Sequence, residues 1–274
     1  MNVVKIIGGL GNQLFQYAFG TVLQKYGKDV KYDMSWTETK DRHNSKFPRL
    51  FRLPMFQLQH LNLGKCIQEN PTINECKVGY STILFKMQNE NNFEGYWQYY
   101  SYYKDIIPQL QAEFQLKTEV YTEEFLKYAE MIWNTESISL HVRRGDYQLH
   151  RKGSFHDLKA AYYFDALTRV NHIKGDLFIF SDDIPWCRQT FDQDFFSRKL
   201  IFVDIDDYLA FELQRMCKHN IITNSTFSWW AAVLNNNPDK VVVCPHRYLG
   251  DNEEDSNNLR LPQEWIKVND HAIR

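Results

Sequence analysis

The 274-residue sequence is poor in cysteine, and its five cysteines, Cys66, Cys76, Cys187, Cys217 and Cys244, include no Cys-x-x-Cys pair. An odd, unpatterned set argues against both a disulfide framework and a zinc site. Long hydrophobic runs are absent too. No window reaches the roughly 18–20 apolar residues of a membrane-spanning helix, and Gly8-Gly9 cuts the opening run too early for a signal peptide. These absences predict a reducing, cytoplasmic setting, where the Asn224-Ser225-Thr226 sequon would carry no glycan. Excess charge is missing as well: 32 basic and 34 acidic residues leave −2, so no global field points to nucleic acid. Any anion must be held by a local cluster. The sequence has no Gly-x-x-x-x-Gly-Lys phosphate loop, no Gly-x-Ser-x-Gly elbow, no His-Glu-x-x-His pair, no repeats and no low-complexity tract, which removes several common hydrolase and NTPase classes.

What is present is apolar and aromatic. Hydrophobic residues make up 43% and aromatics 15%, enough for one large domain or two ordinary ones. The chain opens as strand (Val3–Ile7), glycine turn (Gly8-Gly9-Leu10-Gly11-Asn12) and amphipathic helix (Leu14, Phe15, Ala18, Phe19, Val22, Leu23), stopped by Gly27. That is the first unit of a Rossmann-like fold. Residues 35–100 are less legible. A helix is expected at about Thr122–Trp133. From Ser137 onward, strands at 137–142, 177–180, 200–203, 221–223 and 240–244 alternate with helices at about 157–171, after Pro185, at 208–217 and from Phe227. Such alternation predicts a parallel sheet covered by helices. The expectation is an α/β protein with two Rossmann-like halves facing a cleft, residues 1–134 and 135–274.

Ligands of such sheets sit beyond the carboxyl ends of the strands, and three motifs fall there. His141-Val142-Arg143-Arg144-Gly145-Asp146-Tyr147 places adjacent guanidinium forks after a strand, suited to bidentate phosphate binding. On its own, the Arg-Arg-Gly-Asp turn reads equally well as a surface ion pair. Asn224-Ser225-Thr226-Phe227-Ser228-Trp229-Trp230 opens a helix whose N–H groups and dipole attract phosphate; Ser225, Thr226 and Phe227 are the candidate contacts, and the two tryptophans read as core. Ser181-Asp182-Asp183 offers a carboxylate to a guanine edge or ribose, or a cap to the helix before Pro185. Asp204-Ile205-Asp206 has the Asp-x-Asp form of metal-dependent nucleotide-sugar transferases, although the arginines already supply the charge that a metal would bring.

Gly8 to Ala18, His141 to Tyr147 and Asn224 to Ala232, with Gly95-Tyr96-Trp97-Gln98 and Lys218-His219-Asn220-Ile221-Ile222 between them, resemble the signatures of family 11 glycosyltransferases, the α-1,2-fucosyltransferases. The resemblance runs in order from residue 8 to residue 232. It implies a GT-B fold, GDP-L-fucose as donor, inversion at the anomeric carbon and no metal. It also implies an oligosaccharide or lipid-linked glycan acceptor, with work at the inner membrane face where the acceptor is lipid-linked. By the family pattern Arg143 and Arg144 hold the diphosphate, His141 and Asp182 lie near guanine, and Ser225 and Thr226 meet phosphate. Asp146 and His156, close after the arginine loop, are the candidates for the general base. Asn12 and Gln13 are candidates for hydrogen bonds to fucose or acceptor. Tyr96 and Trp97, with Tyr99 and Tyr100, are candidates for stacking on an acceptor ring, although aromatics at this density more often serve simple packing.

Overall fold

The computed structural model describes residues 1–38, 49–145, 158–191, 198–248 and 259–269. The chain divides into two compact units, Met1–Lys117 and Thr118–Arg274.

In the first unit β1 (Asn2–Lys5) feeds α1 (Leu10–Lys25), which returns to β2 (Val30–Asp33); β3 (Thr72–Asn74) and β4 (Asn92–Glu94) complete a parallel sheet in the order β2-β1-β4-β3. Helix α1 begins four residues earlier than its apolar spacing suggests, and Gly8-Gly9 alone makes the turn, with Gly8 at φ +83°. Two buried glutamines explain the early start. Gln13 Nε2 donates to the carbonyls of Gly8 (3.1 Å) and Leu50 (2.8 Å), and its Oε1 accepts from Arg52 N–H at 3.0 Å. Gln16 accepts from Ile7 N–H at 2.9 Å and donates to Gly95 O at 3.0 Å, which joins the ends of β1 and β4. Satisfied in this way, both amides can be fully buried. Gly27, at φ +76°, ends the helix as expected. The short helices α2 (Glu75–Val78), α3 (Tyr100–Tyr103) and α4 (Ile107–Glu113) follow. The aromatic richness of this half is core: Phe19 stacks on Trp97 at 4.2 Å and packs edge-on to Phe93 and Tyr102.

The second unit begins with α5 (Glu123–Trp133), capped by Thr122 Oγ1 accepting from Phe125 N–H at 3.1 Å. Then come β5 (Ile138–Val142), α6 (Ala160–Arg169), β6 (Leu177–Ser181), α7 (Ile184–Thr190), β7 (Leu200–Val203), α8 (Asp207–Met216), β8 (His219–Ile221), α9 (Thr226–Leu234), β9 (Val242–Pro245) and β10 (Ile266–Val268). All strands are parallel, in the order β10-β9-β8-β5-β6-β7. Strands β5 and β6 are buried on both faces, as in a parallel sheet covered by helices on both sides. The division between units falls before α5 rather than near residue 135, because α5 packs on α8.

Strand β8 lies two residues earlier than its apolar run suggests. A buried polar net holds it there. Asn220 Nδ2 donates to Ser139 Oγ (2.8 Å) and Gln214 O (2.9 Å), and Asn235 Nδ2 donates to Asn220 Oδ1 (2.8 Å) and Cys217 O (2.7 Å). Residues 222–225 are thereby left to form the turn beyond the sheet. Helix α9 is apolar all round and buried, with Trp229 and Trp230 inaccessible to solvent. Among the described residues no helix is long and apolar enough to cross a membrane.

Candidate functional site

The strand order of the second unit places its crevice. From β5 the chain moves outward through β6 and β7, then returns to β8 on the other side of β5. Loops leaving β5 and β8 therefore diverge, and ligands of parallel sheets bind at such a switch point. The Arg143-Arg144 loop leaves β5, and the Asn224–Thr226 turn follows β8.

The arginine loop is pinned from the neighbouring strand. After β6, Asp182 Oδ1 accepts from Arg144 N–H at 2.9 Å, and its Oδ2 accepts from Gly145 N–H at 3.0 Å. The same Oδ2 pairs with Arg143 Nη1 at 2.9 Å. Asp183 Oδ1 caps α7 by accepting from Trp186 N–H at 3.1 Å, while Oδ2 accepts from Arg144 Nε at 3.1 Å. The Arg144 guanidinium also lies 4.0 Å from the centre of the Trp186 ring, a cation–π contact. Both arginines thus have their orientations set by β6 and α7. Asp182, expected beside the guanine, has both carboxylate oxygens engaged in shaping this loop.

Across the switch point, His141 Nδ1 lies 3.1 Å from Thr223 Oγ1, and its ring stacks on Phe227 at 5.4 Å. Burial, together with the nearby Arg143 charge, pulls the His141 pKa down from 6.5 to about 3. The imidazole is neutral at any working pH and ties β5 to the turn after β8. Phe227 in turn packs on Phe211. Ser225 is the N-cap residue of α9, but its side chain makes no capping bond. Instead Ser228 Oγ donates to Ser225 O at 3.3 Å and accepts from Thr223 N–H at 3.4 Å. The first turn of any helix carries N–H groups without intrahelical partners, at the positive end of its dipole. The second unit therefore sets two oriented guanidinium groups beside a helix N-terminus, a construction suited to a diphosphate.

Other candidates are placed elsewhere. Asp204 and Asp206 follow β7, two strands from β5, and Tyr208 Oη is 3.4 Å from Asp206 Oδ2. Among the described residues no three His, Cys, Asp or Glu side chains are grouped to hold a metal ion. In the first unit Asn12 Oδ1 accepts from Gln98 Nε2 at 3.0 Å, and Tyr96 is 43% exposed. Gln13 and Trp97, by contrast, are fully buried. The three hydrogen bonds of Gln13 and the stacking of Trp97 on Phe19 give them packing roles in place of the expected acceptor contacts. Asp146 and His156 lie outside the described residues. Thr223 and Trp186 join the site unannounced by the sequence, since only the fold brings them to His141 and Arg144.

The sequence model of Glycosyl transferase family 11 matches residues 1–269. The chain is 30% identical to the O-antigen biosynthesis glycosyltransferase WbnK of Escherichia coli, over 95% of this chain and 98% of that protein. It is 27% identical to the Escherichia coli alpha-1,2-colitosyltransferase, over 97% and 98% of the two chains. With the galactoside 2-alpha-L-fucosyltransferase SEC1 of Bos taurus it shares 26% identity over 83% of this chain and 62% of that one. Its fold is similar to that of NodZ alpha-1,6-fucosyltransferase co-crystallized with GDP, with a TM-score of 0.51 at 14% identity over 84% and 90% of the chains. Two parallel α/β units in tandem, the arginine loop and the α9 turn at one switch point, and a family match along nearly the whole length lead to one conclusion: the chain belongs to glycosyltransferase family 11 and has the α/β architecture of GT-B type transferases.

Proposed function

We propose that this chain is an inverting transferase that moves L-fucose from GDP-L-fucose to O-2 of a terminal β-galactoside during surface-glycan assembly, without a metal ion. The observation that carries the reading is the pair Arg143–Arg144, held by Asp182 and Asp183 at the β5/β8 switch point beside the N-terminus of α9. The donor's diphosphate seats on this positive surface. As the acceptor hydroxyl attacks the anomeric carbon, the bond from that carbon to the β-phosphate oxygen breaks. Its electron pair leaves with GDP, and the hydroxyl proton passes to a base on the acceptor side, for which Asp146 and His156 are the candidates. Guanidinium groups already aimed at the β-phosphate stabilise the developing charge without reorganising, which supplies what a divalent metal would otherwise bring.

The test is release of GDP from GDP-L-fucose with and without lactose, in parallel with EDTA. Lactose-dependent, EDTA-insensitive release is expected, and loss of release on chelation would remove the metal-free part of the reading. Arg143→Ala or Arg144→Ala is expected to lower kcat by about 10²-fold or more, as for other preorganised donors. Near-normal turnover in both variants would overturn the assignment. A second donor, GDP-colitose, is favoured by the similarity to an alpha-1,2-colitosyltransferase along nearly the full length of both chains. The groups proposed to hold the donor would meet its diphosphate end, which both donors share, so a direct comparison of their kcat/KM values decides between them.

A further inference from the structure

The first unit carries a strained turn just past the carboxyl end of β4, the side of a parallel sheet on which ligands gather. Trp97 has φ +57°, and among the described residues only glycines share a positive φ with it. For a bulky residue that is a true outlier. Its side chain is fully buried, and the indole Nε1 has no hydrogen-bond partner among the described residues, a second cost at the same position. Filling the core beside Phe19 requires neither cost. Such strain persists only where the surroundings over-determine it, and it concentrates where a site must be held in shape.

Glu75 supplies that determination. The register of β3 against β4 sets Asn74 beside Glu94, which carries Glu75 to the turn. Its Oε2 accepts from the N–H groups of both Tyr96 (2.6 Å) and Trp97 (2.9 Å). Gly95 lets it approach, because a Cβ there would lie 2.4 Å from Glu75 Cβ. Tyr103 Oη donates to Trp97 O, and Gln16 Nε2 donates to Gly95 O, so both flanking carbonyls are held as well. The turn so fixed leaves Tyr96 43% exposed. It also joins Gln98 Nε2 to Asn12 Oδ1, in the first turn of α1, at 3.0 Å. An exposed aromatic ring two residues from a pair of amides suits a sugar with one apolar face and a hydroxyl-bearing edge. Galactosides are such sugars: the axial O-4 leaves the C–H bonds at C-3, C-4 and C-5 gathered on one face.

We propose that Glu75 is a positioning residue for the acceptor: by holding the strained Trp97 turn, it sets the Tyr96 ring and the Gln98–Asn12 amides to receive a terminal galactose ring. This rests on the galactoside-acceptor reading above. Binding to the full chain with GDP present is read by saturation-transfer NMR, with lactose and cellobiose as probes, beside GDP release from GDP-L-fucose. Lactose receives saturation, whereas cellobiose, which differs only in configuration at C-4 of the terminal ring, receives little. Tyr96→Ala, at an exposed position, weakens lactose binding and raises its KM about tenfold, as for loss of one stacked ring, with kcat and GDP affinity little changed. Glu75→Ala does the same through Tyr96, and Glu75→Gln, which keeps an oxygen at the same reach, recovers most of the loss. Equal binding of the two disaccharides, no saturation of lactose, unaltered lactose binding in Tyr96→Ala, or Glu75→Gln no better than Glu75→Ala would each overturn the proposal. Lactose that binds through Tyr96 yet receives no fucose would instead overturn the transfer reading and leave the galactoside site standing.

Discussion

Asp182 receives two backbone N–H groups and one guanidinium on a single carboxylate, so its charge and its shape both matter. Asp182→Asn keeps the size but offers one oxygen where two are in use. It is expected to weaken GDP binding by about 10-fold or more, the equivalent of one charge-assisted hydrogen bond, as read by calorimetry. Unchanged affinity would mean that the loop keeps its shape without the carboxylate. His141 makes a different kind of prediction. It titrates near 6.5 when unfolded and near 3 in the fold, where burial and Arg143 oppose its charge. Between those values the unfolded chain carries the extra proton, so stability rises with pH across that window. Its contribution is complete above the unfolded value and is lost as pH falls, by about 2 kcal/mol at pH 5. Urea unfolding at pH 7 and pH 5 should show a smaller acid loss in His141→Gln than in the unaltered chain.

At the scale of elements, the turn after β8 depends on groups that never meet a ligand. Asn220 and Asn235 hold β8 against α8 and α9, and Tyr162 Oη donates to Ile222 O from α6. Asn220→Ala would strand buried partners on Ser139, Gln214 and Asn235, at a cost of about 1–3 kcal/mol, measurable as a lower urea midpoint. Trp229, which donates from Nε1 to Arg260 O at 3.0 Å, anchors α9 in the core. Trp229→Ala is expected to cost about 3–5 kcal/mol and to weaken GDP binding by loosening the helix N-terminus.

For the whole molecule, the division into Met1–Lys117 and Thr118–Arg274 separates a donor-side prediction from the rest. On the proposed function, GDP would seat on the second unit and stabilise it by mass action, about 2.7 kcal/mol at a concentration 100 times Kd. Scanning calorimetry should show the second unit's unfolding move upward with GDP. A thermogram indifferent to GDP would count against the arginine loop as its seat. Legibility also differed between the units. The second was readable because most of its strands are short, largely apolar runs followed by a helix of amphipathic period, and its strands at 138–142, 177–181 and 200–203 lie within a residue of the pattern. In the first, β3 and β4 are three residues each, too short to carry a period. Of its aromatic candidates for stacking or packing, Trp97 and Tyr99 are buried and Tyr96 is exposed; aromatic residues serve both purposes, and only burial separates them.

The sequence by itself determined the family and the alternation of strands and helices, and it singled out the candidate anion-binding residues, because these are local: a motif at a strand end, a period, a pair of forks. Tertiary structure alone decided which carboxylates hold those forks and that Thr223 faces His141. It also buried Gln13 and Trp97 in the core of the first unit. Each of these depends on which strands lie side by side. The crossing from β7 back to β8 beside β5 joins residues some eighty positions apart, and no local pattern encodes that adjacency.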